Sequence, residues 1–376
     1  MQKILVLGTG NAQADFILFC KEYGLEVHSC SYRNEGRGIK FSDYFVQIDI
    51  ANVGEVLSYA RDNEIDLIYT TGSEIAMPTI SRVSESLSLP VFNSTETTTI
   101  CQNKHLMRKA LSDFPEFTVD YRVINDIKSF GGWSQFPAIV KPADSQGQRG
   151  ISIVKDKSDF ENAFKRAVVH SLSKTVIIEE LIEGYEISIN AYVVNGKPEL
   201  IFLTERISFE QYPGGIIKSH KYPISKSYNE DKIHQLVEVV LTQLGIKNGP
   251  AYFQVMISND GSPRVIEVTP RLDGCHIWRM IYHVHGINLF KIILDHLILG
   301  KIDVDLFRTG ETKAKIEKSS LDFFTQAPCT LMQKDRHSVD KNAVYKEWYC
   351  QEGEEVQTIN GFEEKVGYQI TLGKKK

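Results

Sequence analysis

The chain has 376 residues, 42% apolar and 24% charged, ordinary proportions for a soluble globular protein with material for two or three domains. A net charge of −5 argues against a nucleic-acid surface, which needs concentrated lysine and arginine; no run approaches the ~18–20 apolar residues of a membrane span. Cys20, Cys30, Cys101, Cys275, Cys329 and Cys350 show no close pairing, so they read as reduced thiols of a cytoplasmic protein rather than a zinc ribbon or disulfide framework.

In chain order, Lys3 to Gly8 reads as a short buried strand, too brief in its apolar run for a signal peptide, and a helix follows to about Tyr23. A second strand runs from Gly24 to Cys30. A helix spans Val53 to Asn63, and strands are expected over 65–70 and 89–93. Strands alternating with helices at this spacing imply a doubly wound parallel sheet over residues 1–95. Next, a helix over 97–111 carries Lys104. Strands are expected over 118–125, 137–142, 150–154 and 175–182, with a helix over 157–172. Residues 186–194 and 198–205 form a hairpin around Asn195-Gly196. Helices over 229–244 and 277–299, the second broken at Gly286, flank another hairpin. After Gly300 the composition turns loop-rich with scattered strand signals, which suggests a small domain over 301–376.

That last hairpin, residues 251–274, is the most informative stretch. Its strands join at Asn259-Asp260-Gly261, and alternation places Gln254 on the face of Tyr252 and Met256, and Glu267 on the face of Thr269. Arg271 follows at the strand end. One carboxylate, two neutral oxygen ligands and a guanidinium suit a hard cation bound together with phosphates; a solvated hairpin is the plainer alternative. Over 136–151, Lys141 closes an apolar strand and a polar loop with Gly147 and Gly150 follows. Amides of such a loop can close over phosphates while the lysine adds a point charge; a hairpin loop beside a snorkelling lysine fits the same residues. Over 177–186 an apolar strand ends in Glu179, Glu180, Glu183 and Glu186. A strand edge there could meet an adenine rim and a nearby acid the ribose hydroxyls, or the segment is a solvated acidic turn. Gly8-Thr9-Gly10 suggests a dinucleotide loop, but Gln13 stands at the third glycine position.

Taken together in this order, these segments resemble the ATP-grasp superfamily, in its carboxylate–amine ligase-like branch with the ATP-binding fold of carbamoyl-phosphate synthase and biotin carboxylase. The resemblance covers about residues 1–300. It implies an α/β and α+β architecture: an N-terminal doubly wound parallel-sheet domain (1–95, Rossmann-like), a two-lobed ATP-grasp domain (96–300, with 115–185 as a mobile lid lobe) and a small C-terminal domain (301–376). ATP and Mg²⁺ are the implied cofactors. Lys104 and Lys141 become phosphate contacts, and Ser145, Gln146, Gly147, Gln148 and Gly150 part of a mobile loop over the phosphates. Glu179, Glu180, Leu181 and Ile182 become the adenine-binding linker, and Glu186 the ribose-binding acid. Glu267 is similar to the magnesium-bridging glutamate, with Gln254 and Thr269 where a glutamate and an asparagine are usual. Gln254 keeps a neutral carbonyl ligand, but losing an anionic one should weaken the metal site in the absence of nucleotide. Arg271 is similar to the arginine that steadies the transferred phosphate, so catalysis rests on Lys141, Glu267 and Arg271. His220, just before a proline-containing turn, and Asp273 are expected beside the substrate.

The implied reaction is phosphoryl transfer from ATP to a carboxylate, giving an acyl phosphate that an amine attacks, with ADP and phosphate released. Small carboxylate and amine molecules are the expected partners, with neither nucleic acid nor membrane; dimers are common among members, so a homodimer is in keeping. Activation of bicarbonate or a formyl group, and an ATP-binding regulator without turnover, stay open. His276, His283 and His285 read as helix-packing histidines rather than metal ligands.

Overall fold

The computed structural model describes residues 1–127, 132–144, 150–209, 216–308, 318–358 and 363–373. The N-terminal alternation gives β1 (Lys3–Leu7), α1 (Asn11–Tyr23), β2 (Glu26–Ser31), β3 (Tyr44–Gln47), α2 (Val53–Asp62), β4 (Leu67–Tyr69) and α3 (Met77–Leu87). Its strands form a parallel sheet in the order β3-β2-β1-β4. β1 is apolar without alternation because both its faces are covered. Ile4 and Val6 meet Phe16, Ile17 and Cys20 of α1, while Leu5 and Leu7 meet Val56 of α2 and Ile80 and Val83 of α3.

The strand expected at 89–93 is instead an unpaired connector. Pro90 has no N–H for a ladder, and the segment is fixed by side chains, Ser81 donating to the Asn93 carbonyl at 2.9 Å. Two elements of the N-terminal region escaped the sequence reading. β3 is a four-residue strand at the sheet edge, and α3 opens on Met-Pro-Thr-Ile-Ser, which reads as loop yet buries Met77, Ile80 and Val83 at helical spacing. The helix expected over 97–111 divides into α4 (Thr95–Gln102) and α5 (Lys104–Ala110). Asn103 causes the break: its side chain accepts from the His105 and Leu106 N–H groups at 3.0 and 3.2 Å and starts a new helix at Lys104.

β5 (Tyr121–Ile124), β6 (Ala138–Pro142), β7 (Ser152–Val154) and β8 (Val176–Glu180) make an antiparallel sheet in the order β5-β8-β6-β7, covered by Phe160, Phe164 and Ala167 of α6 (Phe160–His170). The largest sheet combines β9 (Gly184–Val194), β10 (Lys197–Ser208), β11 (Ile217–Tyr222), β12 (Gly249–Ser258), β13 (Pro263–Thr269), β14 (Lys318–Gln326), β15 (Ala343–Trp348) and β16 (Glu364–Gly373) in the order β13-β12-β9-β10-β11-β14-β16-β15. One face packs Ile187, Ile189, Phe253 and Val255 against α7 (Glu230–Gln243). The other packs Tyr192, Phe202, Leu321 and Tyr368 against α8 (Ile277–His285) and α9 (Leu289–Leu299). The strand signals after Gly300 thus become β14 to β16, which continue the same sheet through the pairing of β14 with β11. Among the described residues all six cysteines are free, and no helix is long and apolar enough to cross a membrane.

Candidate nucleotide and substrate site

Lys141 and Glu179 stand on neighbouring strands: β6 pairs Ile139 with Glu179, and Lys141 is the next residue on that face. Both are buried, and Lys141 Nζ lies 2.5 Å from Glu179 Oε2. Glu179 Oε1 accepts from Arg108 Nε at 3.0 Å. Arg108, fully buried on α5, also donates to the carbonyls of Val265 and Ile266 at 2.8 and 3.1 Å, so it ties helix, small sheet and large sheet together. Lys104 joins them because its backbone N–H donates to Ala143 at 3.1 Å, pinning the start of α5 to the end of β6. Burial alone would raise the Glu179 carboxyl, but Arg108 and Lys141 hold it at about 2. Burial pushes the Lys141 ammonium down to about 8, against the pull of Glu179, and Arg108 and Lys104 add to the fall. Glu179 thus serves both Arg108 and Lys141.

The 251–274 hairpin folds as expected. β12 and β13 pair Gln254 with Glu267 and Tyr252 with Thr269, placing each pair on one face. Glu267 is hydrogen-bonded to Glu74, a residue absent from the sequence expectations. Gly72 brings Glu74 there. At φ +70° it packs against Gly274, where a Cβ would sit 3.0 Å from the Gly274 Cα, and its N–H donates to Leu272 at 3.3 Å. Burial, then the nearby Glu267, raise the Glu74 carboxyl to about 8. Burial would also raise Glu267, but Lys104, the Glu74 hydrogen bond, Arg271 and Lys141 together lower it. Two carboxyl groups in hydrogen-bond contact share one proton. Arg271 Nη2 is 4.0 Å from Glu74 Oε2, and Nη1 donates to the Leu272 carbonyl at 2.8 Å.

Glu186 accepts from Arg206 Nη1 and from Gln254 Nε2, so the Gln254 carbonyl oxygen turns away from that carboxylate. Glu180 accepts from the Asp120 N–H at 2.9 Å, and Leu181 and Ile182 follow half-buried beyond the end of β8. Asp273 is buried, and its oxygens accept from the N–H groups of Cys275 and Ile277 at 2.6 and 3.3 Å, which caps the start of α8. Burial raises its carboxyl. His220 is fully buried beside Thr204. Ser145, Gln146, Gly147 and Gln148 lie outside the described residues; Gly150 is described, at φ +74°. Lys104, Lys141, Glu267 and Arg271 thus meet at one centre; Gln254 pairs with Glu267 and reaches Glu186, whose partner Arg206 pairs with His220 farther along the large sheet. Gln13 fills the Gly8-Thr9-Gly10 turn by donating to the Thr71 carbonyl. His276 pairs with Asp15 at 3.0 Å and stacks on Tyr368.

The side chains suit a nucleotide bound with a hard cation. Thr269 Oγ1 and Arg271 Nε are buried without partners, and each such atom is costly unless a ligand or water meets it. Among the described residues no cluster of three or more His, Cys, Asp or Glu forms a metal cage, so a cation here would draw ligands from phosphate oxygens as well as from Glu267, Thr269 and Gln254. A cavity of about 360 Å³ is lined by Asp15, Arg37, Trp278 and Arg279 and by none of these residues.

Residues 134–279 match the family model of the ATP-grasp domain. The formate-dependent phosphoribosylglycinamide formyltransferase of Prochlorococcus marinus is 24% identical over 249 residues, 64% of this chain and 63% of that protein. The phosphoribosylamine–glycine ligase of Methanosphaera stadtmanae is 23% identical over 300 residues, 72% of this chain and 67% of its own. The chain spans about half to two thirds of the length of the curated relatives it matches. The solved L-amino acid ligase of Bacillus licheniformis shares the fold at TM-score 0.78 and 19% identity, over 99% of this chain and 93% of its own. Residues 134–279 are an ATP-grasp domain.

Proposed function

We propose that the protein is an ATP-dependent carboxylate–amine ligase, joining a small acid to a small amine through an acyl phosphate and releasing ADP and phosphate. The observation that carries this reading is the convergence of Lys104, Lys141 and Arg271 on the ionised Glu267, from three separate parts of the chain. ATP bound with Mg²⁺ would supply the phosphoryl group that activates the acid. Lys104 and Lys141 would hold the phosphates, and Glu267, Thr269 and the Gln254 carbonyl the cation. Arg271 neutralises charge where the acid is phosphorylated. The end of β8, from Glu179 to Ile182, offers the adenine edge, Glu186 the ribose contact, and His220 and Asp273 the substrate wall. No side chain is needed as a covalent nucleophile. Closure of the lobe over 115–185 would keep water from the acyl phosphate.

Likeness to the formate-dependent formyltransferase favours a second reading, in which formate or bicarbonate takes the place of the acid. ADP release across a panel of acids and amines, with formate and bicarbonate included, separates the readings. Release that needs both an acid and an amine supports the ligase. Release with formate or bicarbonate selects the second reading. ATP binding without release under any pairing contradicts both and leaves a regulator.

A further inference from the structure

Partnerless nitrogens gather on the large sheet beside the Arg271 loop. β10 and β11 pair Arg206 with His220 on one face. Arg206 gives Nη1 to Glu186, while its Nε is buried without an acceptor. His220 is fully buried; its Nδ1 lies 3.1 Å from Thr204 Oγ1, and its Nε2 meets no partner. Lys365, on β16, brings Nζ 3.6 Å from Cys275 Sγ and 3.7 Å from the centre of the Phe323 ring. It makes no ion pair among the described residues, unlike Arg206, which Glu186 balances. Burial, then Arg206 and Lys365, hold the His220 imidazole neutral; in the tautomer whose Nδ1 accepts from Thr204, Nε2 carries a proton to donate. Cys275 stands four residues after Arg271, and both Arg206 and Lys365 act on its thiol. The cluster therefore flanks the loop that presents Arg271.

We propose that Arg206, His220 and Lys365 form a subsite for a second carboxylate, one that is not phosphorylated and that enters on either the acid or the amine. This assignment rests on the ligase reading above and narrows its substrates to a dicarboxylic acid or an α-amino acid. A carboxylate offers two charge-assisted acceptors, which would satisfy the buried N–H groups of Arg206 and His220 and balance the charge of Lys365. An apolar tail would leave all three unmet.

Calorimetric titration with Mg²⁺ and a non-hydrolysable ATP analogue tests it without turnover. Linear dicarboxylates are compared with monocarboxylates of the same length, and glycine and alanine with methylamine and ethylamine. In one of the two series the carboxylate-bearing member should bind at least about tenfold tighter; that series names the substrate carrying the group. Lys365→Met should abolish the preference and Lys365→Arg retain it. No preference in the wild type, or one that Lys365→Met leaves intact, overturns the subsite. A Lys365-dependent preference without ADP release under any pairing sinks the ligase reading and spares the subsite. ADP release without any preference does the reverse.

Discussion

Arg108 decides how much of the Lys141 charge is left for a ligand. With Arg108 in place Glu179 is shared, and Lys141 stays under-neutralised; without it, Lys141 and Glu179 would satisfy each other. Arg108→Met should therefore weaken ATP binding roughly tenfold and lower the unfolding free energy by about 3 kcal/mol, as expected for a broken buried ion pair. Calorimetry and urea unfolding check the two effects; unchanged affinity contradicts the role. Glu74 carries a pH signature. Its carboxyl holds a proton more tightly folded than unfolded, so its stabilising contribution is complete below 4.5 and is lost as pH rises through about 8. Glu74→Gln should flatten that fall, read from denaturation midpoints at several pH values; equal slopes in both proteins count against the shared proton. Lys141 and Glu267 were legible in the sequence because each lies at or near the end of an apolar strand. Arg108 and Glu74 were not. Their partners lie far along the chain, 71 residues away for Arg108 and Glu179, and no local pattern records such pairing. The one available hint was that Arg108 follows Lys104 by a helical turn.

Among the elements, hairpin and strand periodicity transferred well, whereas the register of β12 with β13, which shifts between Gln254 and Val255, left no mark in the alternation. A single position in it is most open to test. Gln254 donates to Glu186 across the β9–β12 pair, so Gln254→Glu would set two carboxylates against each other. The variant should be less stable than the wild type without divalent cation and gain more from added Mg²⁺, seen as a larger thermal shift. Identical Mg²⁺ responses would remove position 254 from the cation site. Helix starts were harder to read. Asn103 looks like a helix interior residue in a continuous pattern, yet its side chain bonds end one helix and begin the next. The break matters because it places Lys104 in the first turn of α5, bonded to β6. Pro90 misled in the opposite sense, sitting in an apolar run that has no strand to join.

At the scale of the whole molecule, the parallel sheet was readable because strand and helix alternate locally. The union of β14 with β11 was not, since a pairing between residues about 100 apart, such as His220 with Leu321, leaves no periodic trace. That union is what brings Lys365 to the loop after Arg271. The central claim concerns a larger convergence: Lys141 on the small sheet and Glu267 on the large one act on a single nucleotide bound with its cation. The most direct measurement is titration of ATP into wild type, Lys141→Ala and Glu267→Gln at several Mg²⁺ concentrations, with circular dichroism confirming the fold. The account predicts tight binding that depends on Mg²⁺ in the wild type, affinity lowered at least about tenfold in Lys141→Ala, and loss of the Mg²⁺ dependence in Glu267→Gln. Wild-type affinity with wild-type Mg²⁺ dependence in both variants would contradict it.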